Sequence, residues 1–189
     1  MKKTVVTSLA GIVLILFVIS SCLPESTPPD YNAQLESNVA AVNQTRLKED
    51  TVIIIDSLNR WIDKGLITGP ILKDSKDVVR YTIQTAGPST EVKPTLSSYI
   101  VVNYTGKRLS DGFVFDQSKP GEPLGIYLHQ LIIGWQTTLP LLTKGTKATL
   151  YIPSGFAYGT REIRNQTTGA VMIPSNSNLI FEIEILGVY

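Results

Sequence analysis

The clearest alternation of apolar and polar residues lies near the C-terminal end of the chain. Between positions 179 and 185, apolar residues occupy the odd positions, and glutamates occupy 182 and 184. A period of two places the apolar side chains on one face of a strand, and this is typical of a half-buried antiparallel sheet. The predicted buried face consists of Leu179, Phe181, Ile183 and Ile185.

Shorter strands are predicted upstream, and turn residues separate them. Asp111-Gly112 is typical of a hairpin turn, because glycine accepts the positive φ angle that such turns need. Thr105-Gly106 is expected to end the strand that precedes this turn. These strands are predicted at 78–84, 99–104, 113–115 and 148–153.

Only one helix is predicted between the strands, over residues 132–142. Pro140 is expected to end it early, because proline cannot donate the next backbone hydrogen bond. A sheet that covers one short helix has an α+β architecture. We therefore expect an antiparallel sheet around a short α-helix, preceded by a helical N-terminal segment.

That N-terminal segment, residues 31–67, is predicted to be helical because apolar residues recur at three- and four-residue steps. Asp50 and Thr51 are candidate N-terminal caps, and Gly65 is a candidate terminator. The segment either packs on its own domain or forms a dimerising or partner-binding helix. We favour the first alternative, because no heptad pattern is sustained. The apolar positions are first the loosely periodic Val39, Ala40, Val42 and Leu47, and then Val52, Ile53, Ile55, Leu58, Ile62 and Leu66.

The first residues are typical of a targeting signal. Lys2 and Lys3 precede an apolar run that is too short to span a bilayer, which predicts a secretory signal over residues 1–21. The following Cys22 ends an Ile-Ser-Ser-Cys motif that resembles a bacterial lipobox, so we expect Cys22 to be lipidated. Residues 22–30 are rich in proline and are predicted to be a semi-extended tether.

Composition excludes several classes of function. Without the two leader lysines the charge is 15 − 16 = −1, from 17 Lys+Arg and 16 Asp+Glu in the whole chain. No basic surface is therefore expected to attract nucleic acid. The single cysteine and single histidine leave too few ligands for a zinc site, so we predict no metal and no cofactor.

The C-terminal half carries short motifs in a fixed order. The matches begin with Tyr-Thr-Gly at 104–106 and Asp-Gly-Phe-Val-Phe-Asp at 111–116. They continue with Gly-Glu-Pro-Leu at 121–124, Leu-Ile-Ile-Gly-Trp at 131–135, Ala-Tyr-Gly at 157–159 and Ile-Pro at 173–174. In this order they resemble the FKBP family of peptidyl-prolyl cis/trans isomerases, in its bacterial periplasmic branch. The resemblance covers the chain from Ser98 onward.

This resemblance implies roles for individual residues. Trp135 is expected to be the floor on which a substrate proline ring rests, and Tyr158 is expected to donate its hydroxyl to the isomerising amide. Asp116 is expected at the pocket edge, where its carboxylate would either interact with the twisting carbonyl carbon or orient Tyr104, so Tyr104, Asp116 and Tyr158 are the expected catalytic residues. The Ile132 N–H is expected to bind a substrate carbonyl. The remaining substrate-binding residues would be Phe115, Leu124, Ile126, Leu131, Ile173 and Phe181.

Three departures from the family pattern concern the pocket. Leu124 stands where many members have phenylalanine, and no arginine lies in the loop 119–123 to pair with Asp116. The segment 160–172 is longer than in compact members, and we expect it to overhang the pocket and either to set substrate preference or to close the site in part.

These observations divide the chain into a helical segment at 31–76 and an isomerase domain at 77–189. Because every motif lies beyond Ser98, residues 31–67 are expected to be dispensable for activity. The resemblance implies isomerisation of proline-containing exported or envelope proteins, and the lipobox-like motif at Cys22 predicts that the protein is anchored in the bacterial cell envelope, with a monomer favoured. The alternatives are a chaperone that binds proline-containing segments with little turnover, and a lipoprotein of an envelope complex.

Overall fold

The computed structural model describes residues 29–189 of the chain. The predicted signal peptide, Cys22 and most of the proline-rich tether lie outside the described residues. No helix among residues 29–189 has both the length and the apolar character needed to cross a membrane.

Three α-helices occur in the described part of the chain: α1 at Tyr31–Ala40, α2 at Gln44–Asp63 and α3 at Ile133–Thr138. Asp30 caps α1 by accepting hydrogen bonds from the backbone N–H groups of residues 32 and 33. Asn43 caps α2 in the same way, through the N–H of Arg46 at 3.0 Å. Short 3₁₀ turns lie at Leu128–Gln130, Leu139–Leu141 and Ser154–Phe156.

Nine strands complete the described secondary structure. They are β1 Leu72–Lys73, β2 Arg80–Thr85, β3 Tyr99–Arg108, β4 Val114–Gln117, β5 Leu124–Tyr127, β6 Lys147–Ile152, β7 Ile163–Arg164, β8 Val171–Ile173 and β9 Leu179–Val188. Seven of them form one sheet, in the order β1-β2-β6-β9-β3-β4, with β5 paired to β3 beside β4. Neighbouring strands of this sheet are antiparallel, and β7 pairs with β8 in a separate antiparallel hairpin.

The two faces of the sheet pack against different helices. On the inner face, α3 lies so close to β6 that a Cβ atom on Gly134 would stand 2.6 Å from Ile152. On the outer face, Ile54 and Leu58 of α2 form a small buried cluster with Tyr151. The main core lies between the inner face and α3, and it includes Trp135, Phe156 and Phe181. The α+β class and the antiparallel sheet around one short helix are confirmed.

Helix α1 also belongs to this packing. Its Leu35 is buried in the main core, and the ring of Tyr31 stacks on His129 with centroids 3.9 Å apart. An ion pair joins Glu36 to Lys76. The N-terminal helices therefore pack on the same domain, as the favoured alternative predicted.

The apolar positions that predicted the N-terminal helix do not all lie on its buried face. Val52, Ile53 and Ile62 are 57%, 46% and 43% exposed, whereas Ile54 is 0% exposed. Ile55 and Leu66 are exposed as well, and of the predicted positions only Leu47 and Leu58 are buried. Helix α2 is rotated to place Leu47, Ile54 and Leu58 against the domain, since contact with the outer face of the sheet decides which face is buried.

The predicted helix boundaries also need correction. The segment forms two helices rather than one, because the helical conformation is interrupted between Ala40 and Gln44. Asp50 and Thr51 are not caps but lie inside α2, and Asp50 is fully buried. The prediction for Gly65 was sound, since it adopts a φ of 69° just beyond the end of the helix.

Two local predictions in the C-terminal half had different outcomes. Strand β3 continues through Thr105-Gly106 to Arg108, so the predicted strand end at Tyr104 was wrong. Its pairing with β9 continues over these residues and keeps them extended. Pro140 does end the α3 region early, because a 3₁₀ turn replaces the α-helix from Leu139.

Candidate active site

An aromatic cluster occupies the space between the sheet and α3. Trp135 makes edge-to-face contacts with Tyr104 at 5.8 Å and with Phe181 at 5.3 Å between ring centroids. Phe115 packs edge-on against Phe181 at 5.6 Å. Edge-to-face geometry is favourable for aromatic rings because the positive edge of one meets the negative face of another. Four of the predicted site residues therefore form one packed unit.

Glycine in the Tyr-Thr-Gly motif makes this cluster possible. A Cβ atom on Gly106 would stand 2.6 Å from the Phe115 ring and 3.0 Å from the Phe181 ring. Any larger residue would push both rings away from β3. The motif thus has a packing reason, and so does Gly134, which brings α3 against β6.

Asp116 is attached directly to the cluster. The Tyr104 hydroxyl donates a hydrogen bond of 2.5 Å to Asp116 Oδ2, and the Gln117 N–H donates to Oδ1 at 2.9 Å. Burial raises the pKa of Asp116 above its ordinary value, and these two hydrogen bonds only partly oppose the shift. Burial and the nearby Asp116 also raise the pKa of Tyr104 well above its usual range.

Tyr158 lies beside this pair and is partly exposed. Burial, followed by the charge of Asp116, raises the pKa of Tyr158 to about 12, while Arg161 opposes the shift. The Arg161 guanidinium lies 5.7 Å from the centre of the Tyr158 ring. Tyr158 is therefore a protonated hydroxyl at neutral pH, able to donate a hydrogen bond.

The remaining predicted residues surround the cluster. Leu131 and Ile173 are buried in the same core, at 5% and 1% exposed. Leu124 and Ile126 lie on β5, while Ile132 caps α3, and all three pack against that core with partial exposure. The structure therefore brings all the predicted site residues within 29–189 together.

Trp135 is more enclosed than the prediction implied. Its side chain is 0% exposed, so no ligand can touch its ring until neighbouring side chains shift. Two open grooves, of about 520 Å³ and 540 Å³, lie on or beside the outer face of the sheet instead. Tyr104 is the only predicted site residue that lines either groove.

The long segment 160–172 forms the β7–β8 hairpin. Ile163 and Met172 pack against the main core, and Arg108 donates a hydrogen bond to the carbonyl of Met172 at 3.4 Å. With Arg161 over Tyr158, the hairpin borders the cluster at its Tyr158 side.

Asp116 forms no ion pair with any lysine or arginine among residues 29–189. Within the same range, no group of three His, Cys, Asp or Glu residues is placed to hold a metal ion. The desolvated carboxylate is thus held mainly by Tyr104 and the Gln117 backbone.

The sequence pattern missed one part of the site. Asp50 of α2 reaches the 3₁₀ turn at Ser154–Phe156, four residues before Tyr158, and accepts a hydrogen bond from the Ser154 N–H at 3.0 Å. The available signal was the spacing of Asp50 four positions after the oppositely charged Arg46 on the same helix.

Comparison with known proteins identifies relatives of this half of the chain. A family profile described as FKBP-type peptidyl-prolyl cis-trans isomerase matches residues 90–186. An FKBP-type peptidyl-prolyl cis-trans isomerase FkpA from Buchnera aphidicola is 37% identical over 118 residues, covering 62% of this chain and 45% of the relative. The outer membrane protein MIP of Legionella longbeachae is 36% identical over 111 residues, covering 58% of this chain and 44% of that protein.

A solved structure agrees with these matches over a longer stretch. The peptidyl-prolyl cis-trans isomerase from Pseudomonas syringae pv. tomato DC3000 aligns with a TM-score of 0.55 and 26% identity, covering 86% of this chain and 98% of that one. The matched region spans less than half the length of the two sequence relatives, at 45% and 44%.

Proposed function

Because the chain belongs to the FKBP-type peptidyl-prolyl cis-trans isomerase family, we propose that it catalyses cis/trans isomerisation of peptide bonds that precede proline. The observation that carries this proposal is the desolvated Tyr104–Asp116 pair on an aromatic cluster that also contains Trp135 and Phe181. A half-buried tyrosine hydroxyl, that of Tyr158, lies beside it.

The chemistry needs no covalent intermediate. Rotation about the peptide bond crosses a barrier of about 18–20 kcal/mol, because resonance gives the bond partial double-bond character. Isomerisation before proline therefore takes tens to hundreds of seconds without a catalyst. The planar amide is more dipolar than the twisted one, so an apolar site disfavours the ground state relative to the transition state.

Each residue of the site supports one part of this mechanism. The proline ring packs on Trp135 and is flanked by apolar side chains. The Tyr158 hydroxyl donates to the carbonyl of the twisting amide, and the Asp116 carboxylate orients Tyr104 at the pocket edge. The Ile132 N–H donates to no acceptor among residues 29–189, which leaves it available for a substrate carbonyl.

Entry of the proline ring requires a small rearrangement, because Trp135 has no exposed surface. Ile132 and Tyr158 are two of the partly exposed members of the site, and we infer that their side chains move when substrate binds. A site whose side chains cover the Trp135 ring excludes water from that ring until the substrate proline takes their place. The second candidate function, in which proline-containing segments are held with little turnover, is supported by the lack of an ion pair to Asp116 among residues 29–189.

We place the protein in the bacterial cell envelope. The sequence motif at Cys22 supports a lipid anchor, and one relative is named an outer membrane protein. Two or three acyl chains would hold the protein stably at a membrane. Its substrates would then be exported or envelope polypeptides that contain proline, and it would act on them as a monomer.

A protease-free isomerisation assay tests the proposed activity. Residues 23–189, which include every described residue, should accelerate the relaxation of a short proline peptide as followed by NMR exchange. Asp116→Asn should reduce the rate, while Asp63→Asn, at an exposed position on α2, serves as the matched control. Absence of acceleration by the folded protein, together with suppression of aggregation of an unfolded client, would favour the binding function instead.

A further inference from the structure

Asp50 is a buried carboxylate that the isomerase chemistry does not use. It lies in the middle of α2, and its side chain is 0% exposed. Burying a carboxylate is costly unless hydrogen bonds and an opposite charge compensate for its lost hydration. An apolar residue at this position would pack without that cost. The role of Asp50 is therefore to be sought in the contacts that its carboxylate makes.

Those contacts converge on one residue of the site. Asp50 Oδ2 accepts hydrogen bonds from both the backbone N–H and the hydroxyl of Ser154. Its other oxygen, Oδ1, lies 2.7 Å from the Arg46 guanidinium. The carboxylate therefore links helix α2 to the first residue of the 3₁₀ turn after β6.

Ser154 in turn organises the segment that carries Tyr158. Its carbonyl accepts hydrogen bonds from the N–H groups of Ala157 at 3.0 Å and Gly159 at 2.8 Å. These two residues flank Tyr158 on either side. Fixing Ser154 thus fixes the backbone from which the Tyr158 side chain projects.

A second loop is tied into the same network. Asn178 Oδ1 accepts from the Ser154 N–H at 2.9 Å, and Arg46 donates to the carbonyl of Asn176 at 3.2 Å. The Asn176 N–H donates to the carbonyl of Gly159 at 2.7 Å. Arg46 and Asp50 together therefore join α2 to both ends of the Tyr158 turn.

The turn that begins at Ser154 is tightly packed against the loop between α1 and α2. A Cβ atom on Gly155 would stand 2.6 Å from Cγ1 of Val42, which lies between α1 and α2. The turn is thus pressed against the N-terminal helices by van der Waals contact as well as by hydrogen bonds.

We propose that Asp50 is a positioning residue, which fixes the Ser154 turn so that the Tyr158 hydroxyl meets the isomerising amide. The N-terminal helices are then part of the working enzyme, in contrast to the expectation that residues 31–67 are dispensable. This proposal rests on the proposed isomerase function and on the role assigned there to Tyr158.

A double-mutant cycle separates positioning from simple stabilisation, because it measures whether two residues act through each other. In the full chain, Asp50→Asn keeps the side-chain volume but removes the charge. Because it acts through the Tyr158 hydroxyl, it should lower kcat/KM by no more than Tyr158→Phe does, about 2- to 10-fold for one neutral hydrogen bond. In the Tyr158→Phe background, Asp50→Asn should have no further effect.

The control is Asp56→Asn, which changes an exposed aspartate on the same helix and should leave kcat/KM unchanged. Rates are compared at equal folded fraction, checked by thermal melts. Where Asp50→Asn does not fold, Ser154→Ala takes its place in the cycle, because it removes only the hydroxyl donor.

The outcomes distinguish this proposal from the one on which it rests. Equal slowing by Asp50→Asn in both backgrounds, or no slowing in either, would overturn the positioning role and leave the isomerase function intact. A Tyr158→Phe protein with undiminished kcat/KM would overturn the role of Tyr158 and the positioning role together. Absence of isomerase activity in the folded wild-type chain would overturn the proposed function itself.

Discussion

The Tyr104 hydroxyl donates a hydrogen bond of 2.5 Å to the Asp116 carboxylate, and burial raises the pKa of both groups. No cation among residues 29–189 forms an ion pair with Asp116. The carboxylate is therefore held in the site by a neutral hydroxyl rather than by an opposite charge. This arrangement makes Asp116 sensitive to pH within a range where an exposed aspartate stays ionised.

The first prediction concerns this pH dependence. Burial raises the pKa of Asp116 above 3.8, so kcat/KM should begin to fall, as the pH is lowered, at a higher pH than for an ordinary aspartate. The Asp116→Asn variant should be slower at neutral pH and should lack this acidic limb. A pH profile of the isomerisation rate for both proteins provides the measurement.

Stability should change in the opposite direction over the same range. Because the pKa of Asp116 is higher in the folded state than in the unfolded state, the folded state binds more protons between 3.8 and the raised value. The contribution of Asp116 to the free energy of unfolding is therefore favourable below 3.8 and is lost as the pH rises through that window. For the rate, an Asp116→Asn variant whose kcat/KM still falls at the same acidic pH would show that another group controls the pH dependence.

The second prediction concerns Tyr158. Replacing Tyr158 by Phe removes one hydroxyl and no apolar volume, so the melting temperature should hardly change. The value of kcat/KM should fall ~2- to 10-fold, as expected for one neutral hydrogen bond of about 0.5–1.5 kcal/mol. Tyr127→Phe is the matched control, because Tyr127 is 46% exposed on β5. Equal rates for the two variants would contradict the assigned donor role.

Much of the structure on the inner face of the sheet could be predicted from patterns between residues that are close in sequence. The alternation at 179–185 fixed which side chains of β9 face the core, and Pro140 acted locally on its own helix. The aromatic members of the site were predicted from the family resemblance, and the structure adds that the motifs which carry them have packing reasons. Gly106 and Gly134, for example, leave room for neighbouring side chains.

The packing of α2 on the domain could not be predicted in this way, because the residues that determine it are distant in sequence. Asp50 resembles a helix cap when only its neighbours are considered, and its partner Ser154 lies 104 positions away. Likewise, four apolar residues follow one another at 52–55 in α2, so periodicity alone did not show that Ile54 rather than Ile53 faces Tyr151. Tertiary contact chose between faces that the sequence leaves nearly equivalent.

The third prediction concerns the lipid anchor. Cys22 is the only cysteine of the chain, so Cys22→Ser should abolish incorporation of a fatty-acid analogue during growth. Ser21→Ala keeps a small residue before the cysteine and should remain labelled, which makes it the matched control. Label on the Cys22→Ser protein would contradict the lipoprotein assignment.

The last prediction concerns the cooperativity of α2 with the sheet. Ile54 is 0% exposed and Ile53 is 46% exposed on the same helix, so the two residues form a matched pair. Replacing a buried isoleucine by alanine typically costs about 2–5 kcal/mol of stability, whereas an exposed one usually costs less than about 0.5 kcal/mol. Ile54→Ala should therefore lower the free energy of unfolding, and Ile53→Ala should not.

The chain offers a probe that shows how far this loss extends. It has two tryptophans, and Trp61 lies on α2 while Trp135 lies in the main core. In a Trp61→Phe background, urea unfolding followed by fluorescence reports on the core alone. If α2 and the sheet form one cooperative unit, Ile54→Ala shifts the Trp135 transition to lower urea with an unchanged slope. If the Trp135 transition stays in place while far-UV circular dichroism shows early loss of helix, α2 unfolds separately. Separate unfolding would mean that the Asp50–Ser154 contact is not essential for folding of the core.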